Sequence, residues 1–256
     1  PLTVVVALIS IGLSIKSALF PFHTWVPDAY GYTTPASSAI LSSLVSKGYI
    51  FLLIKIMYRV IGLDVIIATG IHNVLFIFGL VGMIMGSISA IRQNDIRRMI
   101  AFSSVAQIGY IYMGIGMGTE AGMLAAVFHI FSHAVCKAML FLAAGGLADA
   151  SGNSKHFRDL RGSGFRSPIA GVAFTVGALS MVGFPFLGGF ISKLNFGTAG
   201  MELGDVKTML VLVALAISTW LNTVYFLRTV ITLYRPALPG SNYPVEKGRR
   251  GFCFSL

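Results

Sequence analysis

The sequence predicts an all-α, polytopic membrane protein, and three observations carry that reading. Of its 256 residues, 55% are hydrophobic and 11% charged, where soluble chains carry about 25% charged residues; the mean hydropathy is +0.82. The apolar residues fall in runs of roughly 20, the length that crosses a ~30 Å hydrocarbon core as a helix. The basic residues collect in alternate connections between those runs, the pattern of loops held on the cytoplasmic side. An autonomous soluble enzyme is excluded on composition. The formal net charge of +10 would suggest nucleic acid in a soluble chain, but here the surplus sits in short loops and reads as topology, so no nucleic-acid partner is expected.

Seven spans are expected, at about 2–20, 36–57, 64–90, 98–117, 121–148, 168–199 and 206–233. The first begins directly after Pro1, without a methionine or charged leader, and reads as the later part of something longer. The second carries Lys47 near its centre, with Lys55 and Arg59 near an outer end. The third ends in "IRQNDIRR" (91–98), a basic connection; the fourth carries a polar stripe of Ser103, Gln107 and Tyr110. The fifth contains "AVFHIFSHAVCKAMLFLAAGG" (126–146) and is followed by the basic "GNSKHFRDLRGSGFR" (152–166). The sixth carries Lys193, and the seventh leads into a basic tail. The connections around Glu120 and from Glu202 to Asp205 are acidic, so the charge rule puts the basic ones inside and Pro1 outside. Cys136 and Cys253 support neither a disulfide framework nor a metal cluster.

Two spans should be broken. Residues 17–22 read "SALFPF" and 181–186 read "MVGFPF"; proline removes a backbone donor and clashes with the preceding turn. Similar breaks in oppositely oriented helices are the trace of an inverted repeat, and such breaks tend to border ion pathways.

The ionisable residues are divided. All nine acids fall in loops or at span ends, whereas Lys16, Lys47, Lys137 and Lys193 lie inside spans. An ionised lysine at mid-bilayer costs about 2.5–3.5 kcal/mol on insertion scales. Snorkelling accounts for Lys55 and Arg59, and is the competing reading for Lys16 and Lys193. It does not serve Lys47 and Lys137, whose nearest span ends are roughly 15 Å away. His129, His133 and Lys137 are spaced four apart, a drift of about 40° per step, so they share one helix face. A desolvated lysine and a histidine can both exchange protons near neutral pH, which makes this face a candidate proton relay beside the Ser103, Gln107, Tyr110 stripe. A helix–helix hydrogen bond is the plain alternative for the histidines. A metal site using H-x-x-x-H and Cys136 is disfavoured by the neighbouring Lys137 and the lack of a nearby carboxylate.

The stretches "IKSALFPFHTWVPDAYGYTTPASSAI", "RQNDIRRMIAFSSVAQIGYI", "FHIFSHAVCKAMLFLAAG" and "GFPFLGGFISK" resemble, in order, the motifs of the proton-conducting antiporter-like subunits shared by respiratory complex I, Mrp-type cation/proton antiporters and membrane-bound hydrogenases. The resemblance covers roughly the second half of such subunits. It implies that 1–62 is the end of a first antiporter-like repeat with two spans, 63–235 a second repeat of five, and 236–256 a basic cytoplasmic tail that does not resemble the family's last span. It implies a proton pathway through Lys16, Lys47, His129, His133, Lys137 and Lys193, with Lys16 normally paired to a glutamate on an earlier span. Ser42 stands where some members have histidine, leaving that position to a hydroxyl, water or Lys47.

The function so implied is proton translocation within a larger redox-driven or antiporter complex, in a bacterial or archaeal cytoplasmic membrane or an organellar inner membrane. The expected partners are other membrane subunits, the lipid bilayer and protons, with Na+ as the alternative ion. No cofactor, metal or catalytic residue is expected in this chain; its place would be that of a translocase subunit in an NADH:quinone oxidoreductase-like or hydrogenase-like complex. The alternatives are an Mrp-type Na+/H+ antiporter subunit and a non-conducting structural remnant, the latter suggested by the absent earlier spans and the unusual tail.

Overall fold

The computed structural model describes residues 2–237; Cys253 and all but the first two residues of the expected tail at 236–256 lie outside the described residues. The described chain is helical: α1 (Leu2–Ser17), α2 (Val26–Tyr32), α3 (Pro35–Ile61), α4 (Leu63–Thr69), α5 (Ile71–Ile91), α6 (Ile96–Gly116), α7 (Glu120–Asp149), α8 (Ser163–Arg166), α9 (Pro168–Val182), α10 (Gly188–Met201) and α11 (Asp205–Leu233). Helices α3, α5, α6, α7 and α11 are long and apolar enough to cross a membrane, and this is an all-α integral membrane protein.

The helices stop where the backbone forces them to. Helix α1 ends at Ser17, and Ala18 turns left-handed at φ 69°; the chain becomes helical again only at Val26, beyond Pro21. Helix α9 ends in Gly183 at φ 96° and ψ 42°, whose N–H donates to the Leu179 carbonyl at 3.1 Å, a left-handed cap that suits glycine. Helix α10 begins at Gly188, beyond Pro185. The apolar run at 64–90 is two helices rather than one span: Gly70, at φ 69°, separates the short α4 from α5. Hydropathy does not register this break, because one glycine hardly alters the average. Helix α2 lies in a stretch where the sequence pattern suggested no element.

Helix α6 is the hub. Its apolar window is 94% buried, against 39–50% in the other four long helices, so it is surrounded by protein while they face lipid on one side. Small residues permit this closeness. A methyl group at Gly86 of α5 would sit 2.6 Å from the Ala106 nitrogen of α6, and one at Gly109 would sit 2.6 Å from the Gly79 oxygen. Polar pins fix the surrounding pieces. The Ser17 and Tyr112 hydroxyls are 2.6 Å apart, joining α1 to α6. Arg97, buried, donates to the Tyr30 carbonyl at 3.1 Å, to Ser38 Oγ at 2.8 Å and to the Thr33 carbonyl. It thereby ties the α2–α3 joint to the start of α6. Asp95 caps that start, accepting from the N–H groups of Arg97 at 2.7 Å and Arg98 at 3.0 Å.

The connections segregate by charge. Ile96 N–H donates to the Lys155 carbonyl and Phe157 N–H to the Asn94 carbonyl, each at 3.0 Å. Arg228, near the end of α11, donates to the Ile91 carbonyl at 3.3 Å. The basic segments 91–98 and 152–166 and the foot of α11 therefore share one end of the bundle. At the other end Lys207 donates to Asn73 Oδ1 at 2.6 Å.

Candidate functional site: a buried row of lysines and histidines

The site takes its side chains from three helices beside α6, namely α3, α7 and α10. Lys137 and the two histidines come from α7; at 0%, 1% and 0% exposure for Lys137, His129 and His133, the shared face points fully inward. Lys47 comes from α3 and is also buried. Lys193 of α10 is half-buried, and Lys16 is exposed on α1. The structure thus does not bring Lys16 to the others.

Each interior lysine is held by oxygen atoms that carry no formal charge. Lys137 Nζ donates to the Ile100 carbonyl at 3.0 Å and to Ser103 Oγ, and lies 5.9 Å from the Phe226 ring. Lys47 Nζ donates to Ser46 Oγ at 3.1 Å and to the Ser42 carbonyl. Ser42 belongs to a wide turn of α3, where the Ser46 N–H bonds five residues back to Leu41; such π turns recur at functional positions in helices. The Ser42 hydroxyl, where the family resemblance left a relay position open, is 3.0 Å from Ser104 Oγ of α6. Lys193 Nζ donates at 2.6 Å to the carbonyl of Val182, the last residue of α9. A helix C-terminus is the negative end of its dipole, so the break in α9 furnishes a cation site. Among the described residues, no carboxylate forms a salt bridge with any of the three.

The histidines join these lysines. His129 and His133 stack with centroids 5.8 Å apart and planes 2° from parallel. His129 Nδ1 is 2.6 Å from Ser192 Oγ of α10, and its ring stacks on Tyr110 at 5.4 Å. Lys193 Nζ lies 5.9 Å from the same Tyr110 ring. Lys47, Lys137 and Lys193 all lie within electrostatic range of His129, and Lys47 and Lys137 within range of His133. Along α7 the order is Lys137, His133, His129; Ser192 and Lys193 of α10 follow beyond His129, and Lys47 of α3 stands beside the row. Along it, His129 Nε2, both nitrogens of His133, both amide atoms of Gln107 and the Tyr110 hydroxyl are buried without a protein hydrogen-bond partner. Cys136, considered as a ligand, donates instead to Ser180 Oγ at 3.2 Å.

A polar patch on α11 adds residues that the search for ionisable groups within the spans does not pick out. Tyr225 OH donates to Asn222 Oδ1 at 2.6 Å and Ser87 Oγ of α5 to the same atom at 3.2 Å. Ser218, Thr219 and Asn222 lie beside the Tyr110 hydroxyl. The signal was available: Ser218, Asn222, Tyr225 and Thr229 are spaced four, three and four apart in an otherwise apolar span, and so share one face. Ser192, three residues beyond Gly189, carried no such pattern.

Fold and row together define a membrane-embedded protein with a line of basic side chains in its interior. The chain belongs to the family described as NADH:quinone oxidoreductase/Mrp antiporter, TM, whose model matches residues 2–219. It is 37% identical over 259 residues to the NADH-quinone oxidoreductase subunit N of Desulforudis audaxviator, covering 99% of this chain and 51% of that one. Among solved structures it resembles a chain of the membrane-bound sulfane sulfur reductase, an archaeal respiratory membrane complex. That likeness has a TM-score of 0.82 at 30% identity, over 93% of this chain and 48% of the other. It also resembles a chain of the Mrp complex from Dietzia sp. DQ12-45-1b, with a TM-score of 0.75 at 28% identity, over 90% of this chain and 41% of the other. The chain thus spans about half the length of the relatives it matches.

Proposed function

We propose that this chain conducts protons as a subunit of a larger membrane complex, along Lys47, Lys137, His133, His129 and Lys193. The observation that carries the reading is the set of unpartnered buried nitrogens and oxygens between these residues. Buried polar groups without partners cost about 1–3 kcal/mol each, and water is the partner that satisfies them in a polar interior. A lysine held by carbonyls and hydroxyls can release its proton without stranding a counter-charge, which a salt-bridged lysine cannot do. Protonation at one site then raises the cost at the next: two unit charges 4 Å apart at an effective dielectric of 20 interact by about 4 kcal/mol. Charge entering at Lys47 displaces charge from Lys137 toward the histidines and Lys193.

Lys16 belongs to the same proposal at one remove. The family resemblance gives it a glutamate partner on another helix, and its exposed position on α1 suits a partner outside residues 2–237. The two helix breaks, each with a left-handed residue at its start and a Phe-Pro-Phe string, support the division into repeats at 1–62 and 63–235. The similarity to subunit N favours a redox-driven host in a bacterial or archaeal cytoplasmic membrane, with other membrane subunits as partners. The similarity to the Mrp complex chain supports a second reading, in which proton passage is exchanged for Na+.

The test is proton uptake by the complete complex in liposomes. Lys137→Ala should lower coupled uptake roughly a hundredfold, the lower end of what a positioned proton-transfer group contributes, with assembly retained. Lys55→Ala, at an exposed lysine outside the row, should leave it unchanged. Normal uptake in the Lys137 variant removes that residue from the pathway.

A further inference from the structure

Among the described residues, a cluster of positive charge lies away from the row. Arg158, Arg161, Arg228 and Arg235 line one concave pocket of about 510 Å³, together with Phe157 and Ile231. An adjoining recess shares Phe157, Arg158 and Arg228 and adds His156 and Asp159. Four arginines thus line the pocket, and the one carboxylate nearby, Asp159, belongs to the adjoining recess. Gathering like charges costs energy even at a screened surface, so an anion of matching shape stabilises the arrangement.

The pocket is built rather than a chance grouping of loop side chains. Arg228 is fixed by its 3.3 Å bond to the Ile91 carbonyl and by lying 5.7 Å from the Phe157 ring. Arg166 holds the loop that carries Arg158 and Arg161, donating at 2.8 Å to both the Ala150 carbonyl and Ser151 Oγ. Phe165 meets Tyr234 edge to face at 5.3 Å, seating that loop against the foot of α11.

From the pocket an exposed apolar strip runs along α11 toward the middle of the membrane: Ile231, Leu227 and Trp220, at 52%, 38% and 67% exposure. Their spacing of four and seven keeps them on one helix face. A soluble anion would engage the arginines and leave the strip unused. A molecule with a phosphate head and acyl chains uses both, and guanidinium forks match phosphate oxygens two at a time.

We propose that this pocket binds the headgroup of an anionic phospholipid, with its chains lying along Leu227 and Ile231. The test uses the complete complex in detergent, titrated with phosphatidylglycerol, phosphatidylcholine and, as a headgroup without chains, glycerol 3-phosphate. Bound lipid is counted by native mass spectrometry. Phosphatidylglycerol should be retained at least about tenfold better than phosphatidylcholine, and the double variant Arg158→Gln, Arg235→Gln should weaken it roughly 30-fold. Both arginines are exposed, so the fold does not depend on burying them. Should the double variant not assemble, Arg235→Gln alone carries the test, with about fivefold weakening. The proposal is overturned by equal retention of the two lipids, by unchanged affinity in the variant, or by glycerol 3-phosphate displacing the lipid at equal concentration. It is also overturned if the variant sheds a neighbouring subunit while keeping the lipid.

Discussion

His129 Nδ1 and Ser192 Oγ stand 2.6 Å apart across the interface of α7 and α10, the point where the helix carrying the histidines meets the helix that follows a break. This contact fixes the ring that lies between His133 and Lys193. Ser192→Ala should strand Nδ1 in a buried position, at a cost of about 1 kcal/mol, and leave the ring free to turn. The expected result is about a tenfold fall in proton uptake with only a small drop in thermal stability, both measured on the assembled complex.

The α11 patch makes a different prediction. Asn222 Oδ1 accepts from Tyr225 and from Ser87, so it joins α11 to α5. Tyr225→Phe removes one donor and should cost about 1 kcal/mol, whereas Asn222→Leu removes the common acceptor and should cost about 2 kcal/mol. Thermal unfolding of the two variants side by side gives the order.

Arg97 is the pin of the α2–α3 joint. Arg97→Ala leaves the Tyr30 and Thr33 carbonyls without their charged donor and should destabilise by about 3 kcal/mol. Arg97→Lys keeps the charge but not the planar fork, and should recover less than half of that loss. Denaturation in detergent measures both.

Two glycines should behave oppositely. Gly86 has no room for a side chain against Ala106, while nothing lies within 4 Å of a methyl group at Gly48. Gly86→Leu should separate α5 from α6 at a cost of about 3 kcal/mol and lower the yield of folded protein. Gly48→Leu should be tolerated. Yield and melting temperature of the pair decide the matter.

The parts of this architecture legible in the sequence are those governed by a period. The spacing of four in His129, His133 and Lys137 puts all three on one face, and in the structure they turn inward together. Hydropathy marks helices of membrane length, and the charge of the connections groups those that meet at one end of the bundle. What periodicity cannot supply is the partner. Nothing in the sequence says that Lys193 reaches the last carbonyl of α9, or that Ser192 receives His129, because those contacts depend on how separate helices cross. Lys16 shows the same limit from the other side: its position in an apolar run leaves burial and snorkelling both open, and the face of α1 it occupies is exposed in this chain.

The most direct test of proton passage is a high-resolution density map of the assembled complex around Lys47, Lys137 and His133. Ordered water within about 3 Å of the His133 nitrogens and the Gln107 amide, continuous toward Lys137, is the predicted result. A dry, close-packed interior with those atoms sealed against carbon would contradict it.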